Sequence, residues 1–400
     1  MAVLESFWKK IYRFAMFAST QATITLSRRL LRAVIFPFLL SRAVVLTILI
    51  LIPLLTLLAP TSDGVRAVAF SHGGLKSAAA ISNALLAGDA VHYRDIAQHG
   101  YLKPMSRGWF PLFPLVWRFF AAITGEYPFT GCVLSNAFFL IGLMLLYKTI
   151  GLLGYSECVA SRTVLYLTIF PTSHFFSLPL TESLFLVLTV GAFYKALTSH
   201  WMIAGILGAL ASATRLAGLL LLPSLLLLLY LQRSASIRKR DLVSLLLIPC
   251  GTLAFFSYLY LTTGDFFAYG TTQMSFSVHP QAFFLLPLIR YALHPTMFHE
   301  WAFFPLQFVM TVLGFGCCWM LAKHRQWVLA LYLFGSIVLP LSAGLFGYMT
   351  RFLMVSFPLA IVLGEAGESS IVDQTIRVVF VSLLTLMTLA CAAKFGLGMA

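Results

Sequence analysis

Residues 38–59 read FLLSRAVVLTILILIPLLTLLA, an apolar run interrupted by a single charge, Arg42. A membrane-spanning helix needs ~20 mostly apolar residues, with a range of ~17–25. The stretch is therefore expected to cross a bilayer. Arg42 lies one turn inside its first end, close enough to snorkel out to the headgroups. Basic residues precede the run: Lys9, Lys10, Arg13, Arg28, Arg29 and Arg32 stand against one acid, Glu5. Lys and Arg collect on the cytoplasmic side of membrane proteins, so the arm 1–37 is expected inside. The run is too long for the apolar core of a cleavable signal peptide and reads as a retained signal anchor. Within the arm, Phe7, Ile11, Phe14 and Ala18 recur at helical spacing. That pattern suits an amphipathic helix in the membrane interface.

The rest of the chain has the same character. Of 400 residues, 60% are hydrophobic and 10% charged, where a soluble domain has ~45–50% and ~25%. The composition excludes a soluble enzyme, a disordered chain and a fibrous one. A net charge of +14 would suggest nucleic acid in a soluble protein. Here the cations fall in loops, and no nucleic-acid partner is expected. Further apolar stretches near 130–150, 159–173, 181–198, 201–214, 217–231, 242–262, 302–321, 326–346, 352–367 and 376–396 bring the expected spans to about eleven. Several are short, as tilted, re-entrant or broken helices are.

Sidedness follows from the cations. The loop 232–241 carries Arg233, Arg238, Lys239 and Arg240, and the turn 323–325 is basic too. Placing both inside with the arm requires that 108–124 not cross. That stretch opens Gly-Trp-Phe-Pro-Leu-Phe-Pro, and a proline costs a helix interior ~3 kcal/mol or more. It is expected to lie on, or dip into, the outer face. The outer segments are then a long first loop, 61–129, turns near 173–182, 214–216 and 347–351, and a second long loop, 263–301. The chain is expected to be an arm, 1–37, followed by one all-α polytopic domain, 38–400. No repeat of 20–50 residues marks a solenoid. The six cysteines, at 132, 158, 250, 317, 318 and 391, form no C-x-x-C and read as small buried hydrophobes.

Polar chemistry gathers on the outer side. The run 88–101 reads GDAVHYRDIAQHGY. At 100° per residue, Asp89, His92, Tyr93 and Ile96 share one face of a short helix, and Asp95 points away. Gly100 is placed to end it. Asp89 and His92 can thus act on one substrate, though Asp89 also suits an N-cap and His92 a surface position at the lipid interface. In a second cluster, Ser173 and His174 interrupt an apolar run, and Thr181 and Glu182 suit the N-terminal end of the next helix. Arg215 stands between two apolar helices, and Arg351 is its counterpart near the end of the chain. An arginine in such a place marks a functional site or a snorkelling cation. Two on one face suit an anionic group such as a phosphate, which Arg binds through two parallel N–H groups.

These segments resemble the PIG-V family of mannosyltransferases, the second mannosyltransferases of GPI-anchor synthesis, and their bacterial relatives. That family is part of the wider GT-C superfamily of lipid-phosphate-sugar-dependent transferases. The resemblance is carried by Asp89-Ala90-x-His92-Tyr93-x-x-Ile96-Ala97-x-x-Gly100-Tyr101 and by Phe110-Pro111-Leu112-Phe113-Pro114. It continues in Pro171-Thr172-Ser173-x-Phe175-Phe176 with Thr181-Glu182-Ser183-Leu184-Phe185, and in Ala211-x-x-Thr214-Arg215 followed by Gly218. Arg351-Phe352-Leu353 with Phe357-Pro358 matches near the end, so order and spacing hold over about residues 85–365. One departure is Gly88, where the family usually has Trp.

The resemblance implies a GT-C-like helical bundle whose long first outer loop carries juxtamembrane helices. It implies an inverting glycosyltransferase, a mannosyltransferase first of all. The donor would be a polyprenyl-phosphate or dolichyl-phosphate-like sugar, the acceptor a hydroxyl of a glycan, glycolipid or protein. Asp89 would be the general base, with His92 beside it. Arg215 and Arg351 would meet the donor phosphate, with Arg94, Tyr93, His174 and Glu182 as further substrate contacts. No cofactor is implied, and no carboxylate cluster suggests a divalent metal. The expected location is the bacterial plasma membrane with an extracytoplasmic site, or the endoplasmic reticulum in a eukaryote. The competing class is a non-catalytic lipid or solute transporter. That class tends to show matching halves and a charged path through the midplane. The sequence shows no matching halves, and its charges gather at one face.

Overall fold

The computed structural model describes residues 29–58, 85–86, 88–233, 238–276, 279–281, 283–295 and 303–396. The expected amphipathic helix of the arm, and the outer-loop stretches holding Asp63 and Glu300, lie outside the described residues. All regular structure among the described residues is helical. In chain order the α-helices are α1 (Phe36–Leu58), α2 (Ala90–His99), α3 (Leu112–Thr124), α4 (Tyr127–Leu152), α5 (Glu157–Thr168), α6 (Glu182–Leu197), α7 (Trp201–Ser212) and α8 (Leu221–Arg233). They continue as α9 (Lys239–Leu245), α10 (Cys250–Thr263), α11 (Ala268–Ser275), α12 (Leu286–Leu293), α13 (Phe304–Lys323), α14 (Trp327–Ser342), α15 (Met349–Met354), α16 (Phe357–Ala366) and α17 (Ser370–Gly396).

Among the described residues, four helical segments are long and apolar enough to cross a membrane: Leu31–Ile52, Tyr127–Leu152, Phe304–Lys323 and Ser370–Ala393. The count rises to six if each of two bent pairs is one span, α9 with α10 at 45° and Phe346–Met354 with α16 at 73°. By length and composition the described residues thus hold four to six candidate spans, where the apolar stretches of the sequence number about eleven. The chain breaks between α5 and α6, at 169–181, and after α7, at 213–215. Irregular backbone at membrane depth is tolerated where protein covers it. The bundle turns apolar side chains outward, as Val309, Trp319 and Val378 show. It buries serines and threonines such as Ser135, Thr163 and Thr311. That distribution fits lipid as the surrounding solvent.

Alternate helix ends meet at one end of the bundle. Arg29, before α1, pairs with Glu157 at the start of α5. His324, after α13, faces Glu365 of α16 at 3.7 Å. Tyr166 of α5 donates to Asp373 of α17 at 2.6 Å. At the other end the two long loops pack together, with Gln273 of α11 donating to the Gly108 carbonyl. α3 follows Pro111 and holds Pro114 in its first turn, where the missing N–H has no intrahelical partner to lose. It ends at Gly125 in the left-handed conformation (φ 76°). α3 buries Phe113, Trp117 and Ala121 and exposes Leu115, Phe119 and Ile123.

Two sequence expectations change here. The first span begins earlier than 38, with a π-turn over Leu31–Ile35 whose Phe36 N–H reaches the Leu31 carbonyl. The wider turn accommodates Pro37, so the helix continues through it. Arg42 is then ~16 Å from the helix start at 1.5 Å per residue, too deep to snorkel. It is buried, with 3% of its surface exposed. Among the cysteines, Cys132, Cys317 and Cys318 are buried as expected, but Cys158 and Cys250 lie on outward helix faces and are exposed.

Candidate active site

Four side chains from four distant parts of the sequence form one hydrogen-bonded chain of charges. Arg351 Nη1 donates to Asp89 Oδ2 at 2.7 Å, and its Nε donates to Glu182 Oε1 at 2.5 Å. Arg215 Nη1 donates to the same Glu182 oxygen at 2.9 Å. The order in space is Asp89, Arg351, Glu182, Arg215.

Each residue is delivered by a break in a helix. Asp89 precedes α2 and has helical backbone angles, yet its side chain makes no capping bond. The N-cap reading is therefore not realised, because the carboxylate turns to Arg351 instead. Glu182 opens α6, and Thr181 before it makes no cap bond either. Arg215 has extended backbone (φ −156°) between α7 and the 3-10 turn Leu216–Leu220. Gly218 in that turn presses on α7: a Cβ there would lie 2.4 Å from the Ser212 nitrogen, so no side chain fits. Arg351 belongs to the short α15, just before the bend of a broken span. Gly88, before Asp89, has φ 57°. A side chain in that region costs ~1–2 kcal/mol, which suits glycine at this position.

Access to the four is unequal. The Asp89 side chain is 35% exposed, Arg351 13%, Arg215 14% and Glu182 0%. An approaching ligand meets Asp89 and the edges of the two guanidinium groups, with Glu182 behind them. Aromatic rings back both cations. Phe175 lies 4.7 Å from Arg351 and Phe352 5.4 Å from Arg215. Flat rings hold guanidinium planes by cation–π attraction. Glu182 Oε2 is buried with no hydrogen-bond partner among the described residues.

Electrostatics around Asp89 pull in two directions. Burial opposes its charged form, but Arg351, His92 and Arg215 outweigh that and hold its carboxyl below the ordinary value. His92 is also lowered: burial outweighs the pull of Asp89 and Asp95, so the imidazole is neutral at pH 7. Tyr93 is pushed up by burial and by Asp89, and stays a neutral hydroxyl beside Thr181. Asp95 stays apart, as its angle predicts. It accepts from Lys103 at 2.7 Å and lies 3.2 Å from His99.

The sequence-derived candidates thus divide. Asp89, Glu182, Arg215 and Arg351 come together, and Tyr93 lies alongside. His92 shares the helix face but makes no hydrogen bond to Asp89; its ring stacks on Trp109, centroids 3.9 Å apart. His174 is buried against Phe175 at 4.4 Å, with its Nδ1 unpartnered. Arg94 stands outside the network, and its buried Nε has no partner among the described residues. Sequence reasoning passed over Trp109 and Phe276, which lie edge to face at 5.0 Å and enclose His92. The Gly-Trp-Phe-Pro stretch drew notice for its prolines, while its Trp was the informative ring.

No family model matches the sequence, and no curated protein matches it. Among solved structures the fold is similar to the archaeal oligosaccharyltransferase AglB from Archaeoglobus fulgidus, solved with an inhibitory peptide and a dolichol-phosphate. The identity is 11% and the TM-score 0.39, over 77% of this chain and 51% of that one. The apo form of the Archaeoglobus fulgidus oligosaccharyltransferase is similar at 11% identity and a TM-score of 0.43, over 88% of this chain and 55% of that one. The chain spans about half the length of these structures. Likeness of that extent leaves the chemistry to be argued from the chain's own residues.

Proposed function

We propose that the protein is an integral membrane glycosyltransferase of the GT-C kind, related to the PIG-V mannosyltransferases. It moves a sugar, mannose first among the candidates, from a polyprenyl-phosphate donor to a hydroxyl of a glycan, glycolipid or protein. One observation carries the reading. Asp89, Glu182, Arg215 and Arg351 belong to four separate segments of the resemblance, and the fold joins them in a single hydrogen-bonded chain.

The chemistry asks for a base and for cations beside the leaving group. Asp89 accepts the proton of the acceptor hydroxyl as that oxygen attacks the anomeric carbon. The bond from that carbon to the phosphate oxygen breaks, its electron pair passes to the phosphate, and the configuration inverts. Arg215 and Arg351 stabilise the growing negative charge, as preorganised donors do most strongly in a site that excludes water. In the resting protein Arg351 is shared by two carboxylates. A donor phosphate that takes over Arg351 Nη1 would release Asp89 and restore its basicity.

Transfer of radiolabel from polyprenyl-phosphate mannose in membranes holding the full chain tests the reading. Label should reach an acceptor in the lipid-linked or protein fraction, and should not do so with Asp89→Asn. Equal transfer by membranes lacking the protein, across a panel of polyprenyl-phosphate sugars, would remove the glycosyltransferase reading.

The proposed sidedness puts the cluster on the extracytoplasmic side, with the basic loop 232–241 inside. Leu102, after α2, and Lys239, at the start of α9, are both exposed. In a background without the six native cysteines, Leu102→Cys should react with an impermeant maleimide on intact cells. Lys239→Cys should react only after lysis. The opposite pattern inverts the map.

A further inference from the structure

Arg42 is a buried arginine outside the cluster. Among the described residues it makes no ion pair with a carboxylate. Its Nη1 donates to the Ser173 carbonyl at 2.7 Å and to Ser177 Oγ at 3.0 Å. Its Nη2 donates to the Thr168 carbonyl at 2.9 Å and to Ser173 Oγ at 2.8 Å. Nε reaches Ser41 Oγ at 3.3 Å. All five donors of the guanidinium are thereby engaged, and none is left for a ligand. The plane lies 5.0 Å from the centre of Phe139, which stacks on Phe176 at 4.1 Å.

The four Nη bonds all end on one segment, 168–177, the connection that leaves α5 and leads to Glu182. A helix end leaves carbonyls without partners, and a cation is a natural donor to them. The same segment grips the cluster on its far side. Thr172 Oγ1 donates to the Thr350 carbonyl at 3.3 Å, one residue before Arg351. Phe175 supports the Arg351 guanidinium. Ser183, next to Glu182, donates to the Phe176 carbonyl at 3.0 Å.

We infer that Arg42 is a positioning residue, which pins the 168–177 connection and through it fixes Glu182 against Arg351. It touches no reacting atom. A lysine keeps the charge but offers one point with three donors, so it cannot hold two carbonyls and two hydroxyls in one plane. The catalytic part of the inference rests on the glycosyltransferase reading; the structural part does not.

The test compares Arg42→Met and Arg42→Lys with wild type, as full chains in detergent. In Arg42→Met, amide exchange over 168–183 and 349–354 should quicken by at least about tenfold, with α4 and α13 unchanged. The kcat of transfer should fall by about 10²-fold, the loss that a small misplacement brings, with the acceptor KM unchanged. Arg42→Lys should recover part of both. Three results would overturn the inference: wild-type exchange over 168–183, exchange quickened uniformly through the chain, or local loosening with wild-type kcat. Should wild type itself transfer no sugar, the functional reading fails alone. Joint loosening of 168–183 and 349–354, or its absence, then decides the role of Arg42.

Discussion

Asp89→Asn should leave the protein folded and cut turnover by ~10²–10⁴-fold, the usual worth of a general base. Asn keeps an oxygen to accept from Arg351 and removes the site that takes the proton. The N-cap explanation predicts nothing for this change, since the Asp89 side chain caps no backbone N–H in the first place. His92→Asn is the companion variant. A neutral imidazole is a competent base, so near-normal Asp89→Asn activity with loss in His92→Asn would hand the role to His92. The pH profile gives a second readout. Asp89 is held below the ordinary carboxyl value in the free protein, so the acid limb of kcat/KM should lie below about pH 4, its unperturbed range. Stability follows the same sign. Both Asp89 and His92 have folded values below their unfolded ones, so the unfolded chain binds protons more readily. Their stabilisation is complete above the unfolded values and is lost on acidification. The loss begins near pH 6.5 for His92 and near pH 4 for Asp89. Thermal unfolding scans across pH 3–8 should show two falls in that order.

Much of the site's local layout could be read from single segments. A short helix after Gly88, its end at Gly100 and the separation of Asp95 from Asp89 all follow from 100° per residue and one glycine. The membrane character followed from composition alone. What could not be read is long-range. Glu182 suits the dipole at the start of α6 as seen from the sequence, and the fold instead makes it the bridge between two arginines, 33 and 169 residues away. In the sequence Arg42 reads as a snorkelling cation, because the apolar run starts at 38. A π-turn over Leu31–Ile35, before Pro37, extends the helix towards the N-terminus and puts the charge at mid-span. The number of spans was hard to read for a related reason. Hydropathy does not see where a helix bends or stops, and here the stops at 169–181 and 213–215 are what deliver the charged residues.

The second large effect is expected at Arg351. In the sequence Arg215 is the sharper of the two arginines, since it stands between two apolar helices, far from the cytoplasmic side. The geometry reverses that order. Arg351 uses two different nitrogens on two carboxylates, whereas Arg215 uses one nitrogen on Glu182. An ammonium can replace a single contact but not a planar fork. Arg351→Lys should therefore reduce turnover by at least about 10²-fold, in the range seen when a preorganised transition-state donor is removed. Arg215→Lys should cost roughly tenfold, about 1.4 kcal/mol of transition-state stabilisation. Lysine is the informative choice at both sites. Removing a cation outright would leave the buried Glu182 with one arginine in place of two, and removing Arg351 would also leave Asp89 without its arginine, so folding would confound the assay. Arg351→Lys carries a further signature. The clamp on Asp89 loosens, so its carboxyl should return toward the ordinary range and the acid limb of the residual activity should move up in pH. Steady-state rates across pH for the two lysine variants, at matched protein levels, give both readouts. Wild-type turnover in Arg351→Lys, with collapse in Arg215→Lys, would place the donor phosphate at Arg215 and leave Arg351 as a counter-ion to Asp89 and Glu182.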